Sequence, residues 1–380
     1  MTVQMTGQMT GSMMRQHSRL HDSRPRTCHT APVTTAPRRQ AGVRSAPTLE
    51  EVAARAGVSR ATASRVLRGD RKVSEHARTV VLDAAREISY VPNLAARSLV
   101  TGRSDSVAFL VEESEERMFA DPFFLGMLRS AQETVADAGR QLVFTVMSRP
   151  EDQRRFLAYA AGGHVDGVLM LSLHGKDRLP KRLEDLGVPT VLSGRPLSNG
   201  RRLWYVDADN VGGGELATSY LIEQGRRCVA TVAGPLDMCA GQDRLAGYRA
   251  AVEAAGLPYD ESLVSVGDFT PMGGQAAAAR LLAQHPEVDA IFAASDLAAI
   301  GVIRALDAAG REVGTDVAVI GFDDIPAAAE HVPPLSTVRQ PIAELGTAMT
   351  RLLLARIEGS DDDLPHRTVL PVELVLRATS

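Results

Sequence analysis

From Thr48 to Ser89 the apolar positions recur at helical spacing and divide into three short segments. In the first, LEEVAARA, Thr48 stands just ahead and Glu51 lies three residues on, a pairing that closes a capping box. Gly57 then suits a helix end or tight turn. Ser59 is placed to cap a second helix. At about 100° per residue, Ala63, Val66 and Leu67 gather on one side of it, and Arg60, Ala61, Ser64, Arg65 and Arg68 on the other. Ser74 caps a third, HARTVVLDAAREI, whose Val80, Val81, Ala84, Ala85 and Ile88 share a face.

Beyond Ser106 the pattern changes. Apolar runs (SVAFLV, QLVFTV, DGVLML, PTVLS, then CVATVAG, LVSVGDF, DAIFAAS, VAVIGFDD) alternate with helical stretches such as FFLGMLRSAQETVADAG and LAAIGVIRALDAAG. Continuous apolar strands between helices predict parallel sheets covered on both faces. Two such sets in series predict two doubly wound α/β lobes, with a ligand cleft at the carboxyl ends of their strands. The predicted architecture is a small all-α helix-turn-helix domain (48–92), a hinge (93–104) and a two-lobed core (105–380). The first lobe takes 105–206 and 340–368, the second 207–339 and 369–380.

Charge sharpens this division. Residues 1–47 carry seven arginines and one aspartate, a net +6; residues 48–103 carry +4; the formal total of −4 leaves −14 for the remainder. A basic module attached to an acidic body is suited to meeting an anion. Residues 1–47 have no apolar period and are expected to be a disordered basic extension. Three cysteines without a CxxC pair argue for a reducing compartment and against a disulfide scaffold or structural zinc. There is no apolar run of membrane-spanning length and no signal-type apolar stretch near the start, so a cytoplasmic location is expected. No P-loop, nucleophile elbow or metal cluster stands out, so neither an enzyme nor a cofactor is expected.

The second helix answers the charge question. Its apolar side packs inward and its basic side has the width of a DNA major groove. In helix-turn-helix proteins such a helix reads base edges with its N-terminal residues. Long arginines reach guanine bidentately, and hydroxyls reach phosphates.

TLEEVAARAGVSRATASRVLRG, followed by VSEHAR and YVPNLAARSL, resembles the helix-turn-helix and hinge of the LacI/GalR family of bacterial repressors. The resemblance continues through DPFF, GVDGVLML, VDADNVGGG, AGP, RLAGY, ASDLAAIG, VIGFDDIP and STVRQP, over roughly 48–380. It implies a dimeric regulator with a periplasmic-binding-protein-like core, a palindromic double-stranded DNA operator and a small-molecule effector, with a sugar as the default. It implies DNA contacts from Thr48, Ser59, Arg60, Ala61, Thr62, Ser64 and Arg65, and from Asn93, Ala96 and Leu99 in the hinge. There Leu99 is the expected minor-groove wedge, supported by Ala96 and Val100. It places Phe123, Phe124, Arg244, Phe269, Ser295, Asp296, Asp323 and Gln340 at the effector. Met238 stands where purine-responsive relatives use a polar contact, which disfavours a purine.

There are departures: Ala63 replaces the usual Val, Arg226 the common His after Gly225, and Gly194 the usual Asp before Arg195. Without a C-terminal leucine heptad the expected assembly is a homodimer. A solute-binding protein for sugar uptake would share the two lobes, but needs an export signal and no reading helix. Within the regulator class, a partner protein in place of a sugar stays open.

If Arg60 reads a base, Arg60→Ala should weaken specific operator binding about 10-fold or more, since one bidentate pair supplies ~1–3 kcal/mol. Titration on the protein's own promoter palindrome tests this, and unchanged binding would remove Arg60 from the readers.

Overall fold

The computed structural model describes residues 47–67, 69–70, 72–91, 102–175, 178–197 and 203–380. The chain falls into two compact units that divide between Val91 and Pro92.

The first unit is three helices, α1 (Leu49–Ala56), α2 (Arg60–Leu67) and α3 (Glu75–Glu87). The capping box forms: the Thr48 backbone donates to Glu51 at 2.8 Å, and the Glu51 backbone donates to the Thr48 hydroxyl at 3.3 Å. Gly57 turns the chain out of α1 in the left-handed region at φ 66°. Ser59 caps α2 by accepting from the Thr62 backbone at 3.1 Å, and Ser74 caps α3 through Ala77. Val52, Ala53, Ala63, Val66, Val81, Ala84 and Ala85 form the buried centre. So small a core depends on close packing, and an Arg55–Glu87 ion pair ties α1 to α3.

The second unit holds two six-stranded sheets. Its strands, in chain order, are β1 (Ser106–Val111), β2 (Gln141–Val146), β3 (Gly167–Leu171), β4 (Thr190–Ser193), β5 (Trp204–Ala208), β6 (Val229–Ala233), β7 (Val264–Val266), β8 (Ala290–Ala293), β9 (Ala318–Asp323), β10 (Ser336–Arg339), β11 (Arg367–Leu370) and β12 (Glu373–Val375). The first sheet runs β11-β5-β4-β3-β1-β2 and is parallel throughout. The second runs β12-β10-β9-β8-β6-β7 and is parallel except at its edge, where β12 lies antiparallel to β10. That strand departs from the all-parallel expectation. It reaches the second sheet directly from β11, without a crossover helix to reverse its direction.

Each sheet has an apolar cluster on both faces, as continuous hydrophobic strands require. The chain passes between lobes after β5, after β10 and after β11, so the lobes are interleaved. Pairing of Leu370 with Ala208 carries the first sheet two residues past each boundary expected from sequence.

Candidate functional site

In α2 the polar side faces solvent as its spacing requires. Ser59, Arg60, Ala61 and Arg65 are exposed, Thr62 and Ser64 half-buried, and Ala63 and Val66 buried. Arg60 leans on Glu50 of α1 at 2.5 Å, a solvent-exposed pair that holds little energy and leaves the guanidinium accessible. Thr48 is exposed beside this face and caps α1. Asn93, Ala96 and Leu99 of the expected hinge, Arg68, and residues 1–46 of the expected extension lie outside the described residues.

In the core, residues following the carboxyl ends of the strands line a cavity that opens to solvent. Its centre is Arg244, near the start of the helix Cys239–Ala254 and almost fully buried. The guanidinium lies 3.6 Å from the centroid of the Phe322 ring. Its Nε donates to Asn210 Oδ1 at 2.8 Å, and one terminal nitrogen donates to the Ala294 carbonyl at 2.5 Å. The same nitrogen faces Asp323 Oδ1 at 3.4 Å, and that oxygen also accepts from Gln340 at 2.6 Å. Glycine makes this placement possible. A Cβ on Gly214 would stand 2.3 Å from the Arg244 carbonyl oxygen, so only glycine lets the helix Asn210–Glu223 pass this close.

Aromatic faces and further ion pairs complete the wall. Phe123 and Phe124 meet edge to face at 5.4 Å, and Phe269 lies across the cavity from the second lobe. Arg117 sits over both Phe124 and Phe269, at 5.6 and 5.1 Å from their centroids, and pairs with Glu113. Arg195 pairs with Asp243 at 2.5 Å, and its backbone donates to Asp207 at 2.9 Å. Ser172, Phe269 and Asp323 all line the cavity at positive φ (60°, 64° and 114°). Such backbone is costly for non-glycine residues and clusters at binding sites.

Of the residues expected at the effector, Phe123, Phe124, Arg244, Phe269, Asp323 and Gln340 line this cavity. Ser295 and Asp296 do not. Ser295 caps the helix Asp296–Ala308 through Ala298 and donates to the Phe269 carbonyl, bracing that residue from behind. Asp296 is buried, accepting from the Ile325 backbone and the Thr337 hydroxyl. Arg117, Asp121, Asp207 and Asn210 join the cavity without having been singled out. Asp121 stands inside DPFF, and Asp207 and Asn210 inside VDADN, stretches already marked for other reasons.

Family models match at both ends of the chain: bacterial regulatory proteins of the lacI family over residues 48–93, and a periplasmic binding protein-like domain over 218–380. The HTH-type transcriptional regulator CelR of Thermobifida fusca is 49% identical over 88% of this chain and 98% of its own length. The chain belongs to the LacI family. Ribose operon repressor of Halalkalibacterium halodurans is another LacI-like relative, 34% identical over 88% of this chain and 97% of its own. Among solved structures, a CelR–cellobiose complex matches with TM-score 0.71 and 47% identity over 88% of this chain and all of that one. A lac repressor dimer bound to operator and an anti-inducer matches with TM-score 0.77 and 25% identity, over 88% of this chain and 99% of that one. The protein is therefore a DNA-binding transcriptional regulator of LacI type, with a reading domain followed by a two-lobed ligand-binding core. A transport protein with the same lobes would have no use for the first unit. Among the described residues no helix is long and apolar enough to cross a membrane.

Burial, opposed by Arg244, raises the Asp323 carboxyl to about 7. An unfolded aspartate releases its proton near pH 4. Between these values the folded protein holds the extra proton, so stability falls as pH rises from about 4 to 7 and levels off above. Burial also raises Asp296, which adds the same sign. Thermal unfolding of Asp323→Asn against the parent should show a Tm difference that shifts in the variant's favour from pH 4.5 to 7. A gap independent of pH would show that Asp323 does not titrate in this range.

Proposed function

We propose that this regulator is a repressor that holds a palindromic operator as a homodimer, and that its cleft takes a neutral β-linked glucose disaccharide such as cellobiose. Binding of that sugar sets its affinity for DNA, and it acts in the bacterial cytoplasm. The observation that carries the sugar assignment is charge balance. Each arginine of the cavity wall is already paired with an acidic side chain: Arg117 with Glu113, Arg195 with Asp243, Arg244 with Asp323. Asp121 and Asp207 add further carboxyls. No cation among the described lining residues is left to neutralise a phosphate or carboxylate ligand.

What the wall offers instead suits a polyhydroxylated molecule. Carboxylates accept from hydroxyls, and arginine and amide nitrogens donate to them. The half-buried ring of Phe123 offers a face for sugar C–H groups. Similarity to a regulator solved with cellobiose supports the particular sugar.

The cleft is read as a binding site and not a catalytic one. Burial pushes its one cysteine thiol, Cys239, up to about 11, so it is a poor nucleophile while the lobes stay closed around it.

Isothermal titration calorimetry on the full chain tests this reading. Cellobiose should bind, glucose 6-phosphate should not, and Arg244→Met should lower cellobiose affinity by about 100-fold, as loss of a buried, hydrogen-bonded charge does. Silence with every neutral disaccharide, or equal binding of the phosphate ester, would overturn it.

A further inference from the structure

At one side of the cavity a single imidazole bridges the two lobes. His174 follows β3 in the first lobe, and its ring is one-third exposed. Its Nε2 lies 3.0 Å from Glu113 Oε1 in the same lobe, and its Nδ1 lies 2.9 Å from Asp237 Oδ2 in the second. Beside it the Gly175 backbone donates to the Asp237 carbonyl at 2.6 Å. These contacts lie away from the strands where the chain crosses between lobes. In the first sheet β3 is two strands from β5, about 10 Å at ordinary strand spacing, and in the second β6 is three strands from β10. A bond placed that far from the crossings resists opening with leverage that a bond at the crossings lacks.

The two partners also fix the protonation state. An ionised carboxylate only accepts, so each ring nitrogen must donate, and a neutral imidazole has one N–H for two acceptors. We infer that the Glu113–His174–Asp237 bridge is a clasp that holds the lobes closed over the cleft, and that it closes fully only while the imidazole carries both protons. The clasp does not depend on which ligand fills the cleft.

The surrounding charges agree. Glu113 is held below its ordinary range: burial pushes it up, but His174, Arg117 and Ser172 outweigh that. The hydrogen bond to Glu113 raises His174, burial opposes, and Asp237 adds to the rise, bringing it to about 9. Glu112 and Arg149 line an adjoining cavity together with His174. Glu113 travels with His174 when the lobes part, so only the share contributed by Asp237 is linked to closure. The clasp is complete at neutral pH and weakens as pH rises through about 9. Each pH unit by which Asp237 raises the midpoint strengthens closure about tenfold.

Two measurements on the effector-free full chain test this. With histidine labelled at carbon-13, the His174 signal is identified by its loss in His174→Gln. Its midpoint should lie near 9 and fall by about one pH unit in Asp237→Asn; an unmoved midpoint would show that the lobes do not meet through His174. Cys239, buried in the cavity wall, reports opening directly. At pH 8 its alkylation, followed by peptide mass spectrometry and normalised to Cys228, should quicken severalfold in His174→Ala. An unchanged ratio would overturn the clasp, whether or not cellobiose proves to be the ligand.

Discussion

A guanidinium buried away from water survives only if every face is occupied, and that constraint organises the core. Arg244 rests on Phe322, donates to Asn210 and Ala294, and faces Asp323. Those partners come from different parts of the chain: Asn210 opens the helix after β5, Ala294 follows β8, and Phe322 and Asp323 end β9. Gln340, at the second crossing between lobes, donates to the same Asp323 oxygen. The cleft thus has a preorganised polar centre at the point where the chain changes lobes. A ligand hydroxyl that competes for Asp323 or Asn210 acts on the crossings themselves. This gives ligand binding a mechanical route to lobe orientation, which binding at a peripheral surface would lack.

Such a route transmits only as much free energy as the ligand's differential affinity for two arrangements of the lobes. The structure contains lobe-crossing contacts that differ in kind. Arg195–Asp243 joins a guanidinium just past β4 to a carboxylate on the helix after β6. His174–Asp237 lies further from the crossings and depends on a proton. The ligand works against the sum of these, so closure is balanced between protein contacts and ligand contacts. A regulator needs that balance, because a cleft locked shut by its own residues would not respond to sugar.

Much of this was legible in the residues because local rules and tertiary needs agreed. Thr48 with Glu51, Ser59 and Ser74 marked the three helix starts, and the split of Ala63 and Val66 from Arg60 and Arg65 marked the two sides of α2. The eight strands β1–β4 and β6–β9 read as apolar runs because the sheets are covered on both faces. The return segments were harder. The helix Ile342–Glu358 buries Leu345, Met349, Leu352 and Leu353, yet Gly346 interrupts its apolar stripe and it was placed only as part of the first lobe. β10, β11 and β12 are three or four residues long, and their positions depend on pairing with distant strands that no local pattern encodes. At the site, Arg244 and Asp323 came from motif resemblance. Ser295 and Asp296, in ASDLAAIG, stand behind the wall instead, because a residue that caps or anchors a helix end has already used its acceptors. Arg117 had no motif of its own, and only the meeting of two lobes shows that it belongs to the cleft.

The central claim is that a sugar held between the lobes controls how firmly the arginine-bearing side of α2 grips a duplex. Fluorescence anisotropy of the full-length protein at fixed salt, on its own promoter palindrome and on a scrambled duplex, with and without cellobiose, addresses it directly. The account predicts a palindrome preference of about 1,000-fold or more, changed by cellobiose about 5- to 150-fold. Equal binding to the scrambled duplex, or a preference indifferent to the sugar, would contradict it.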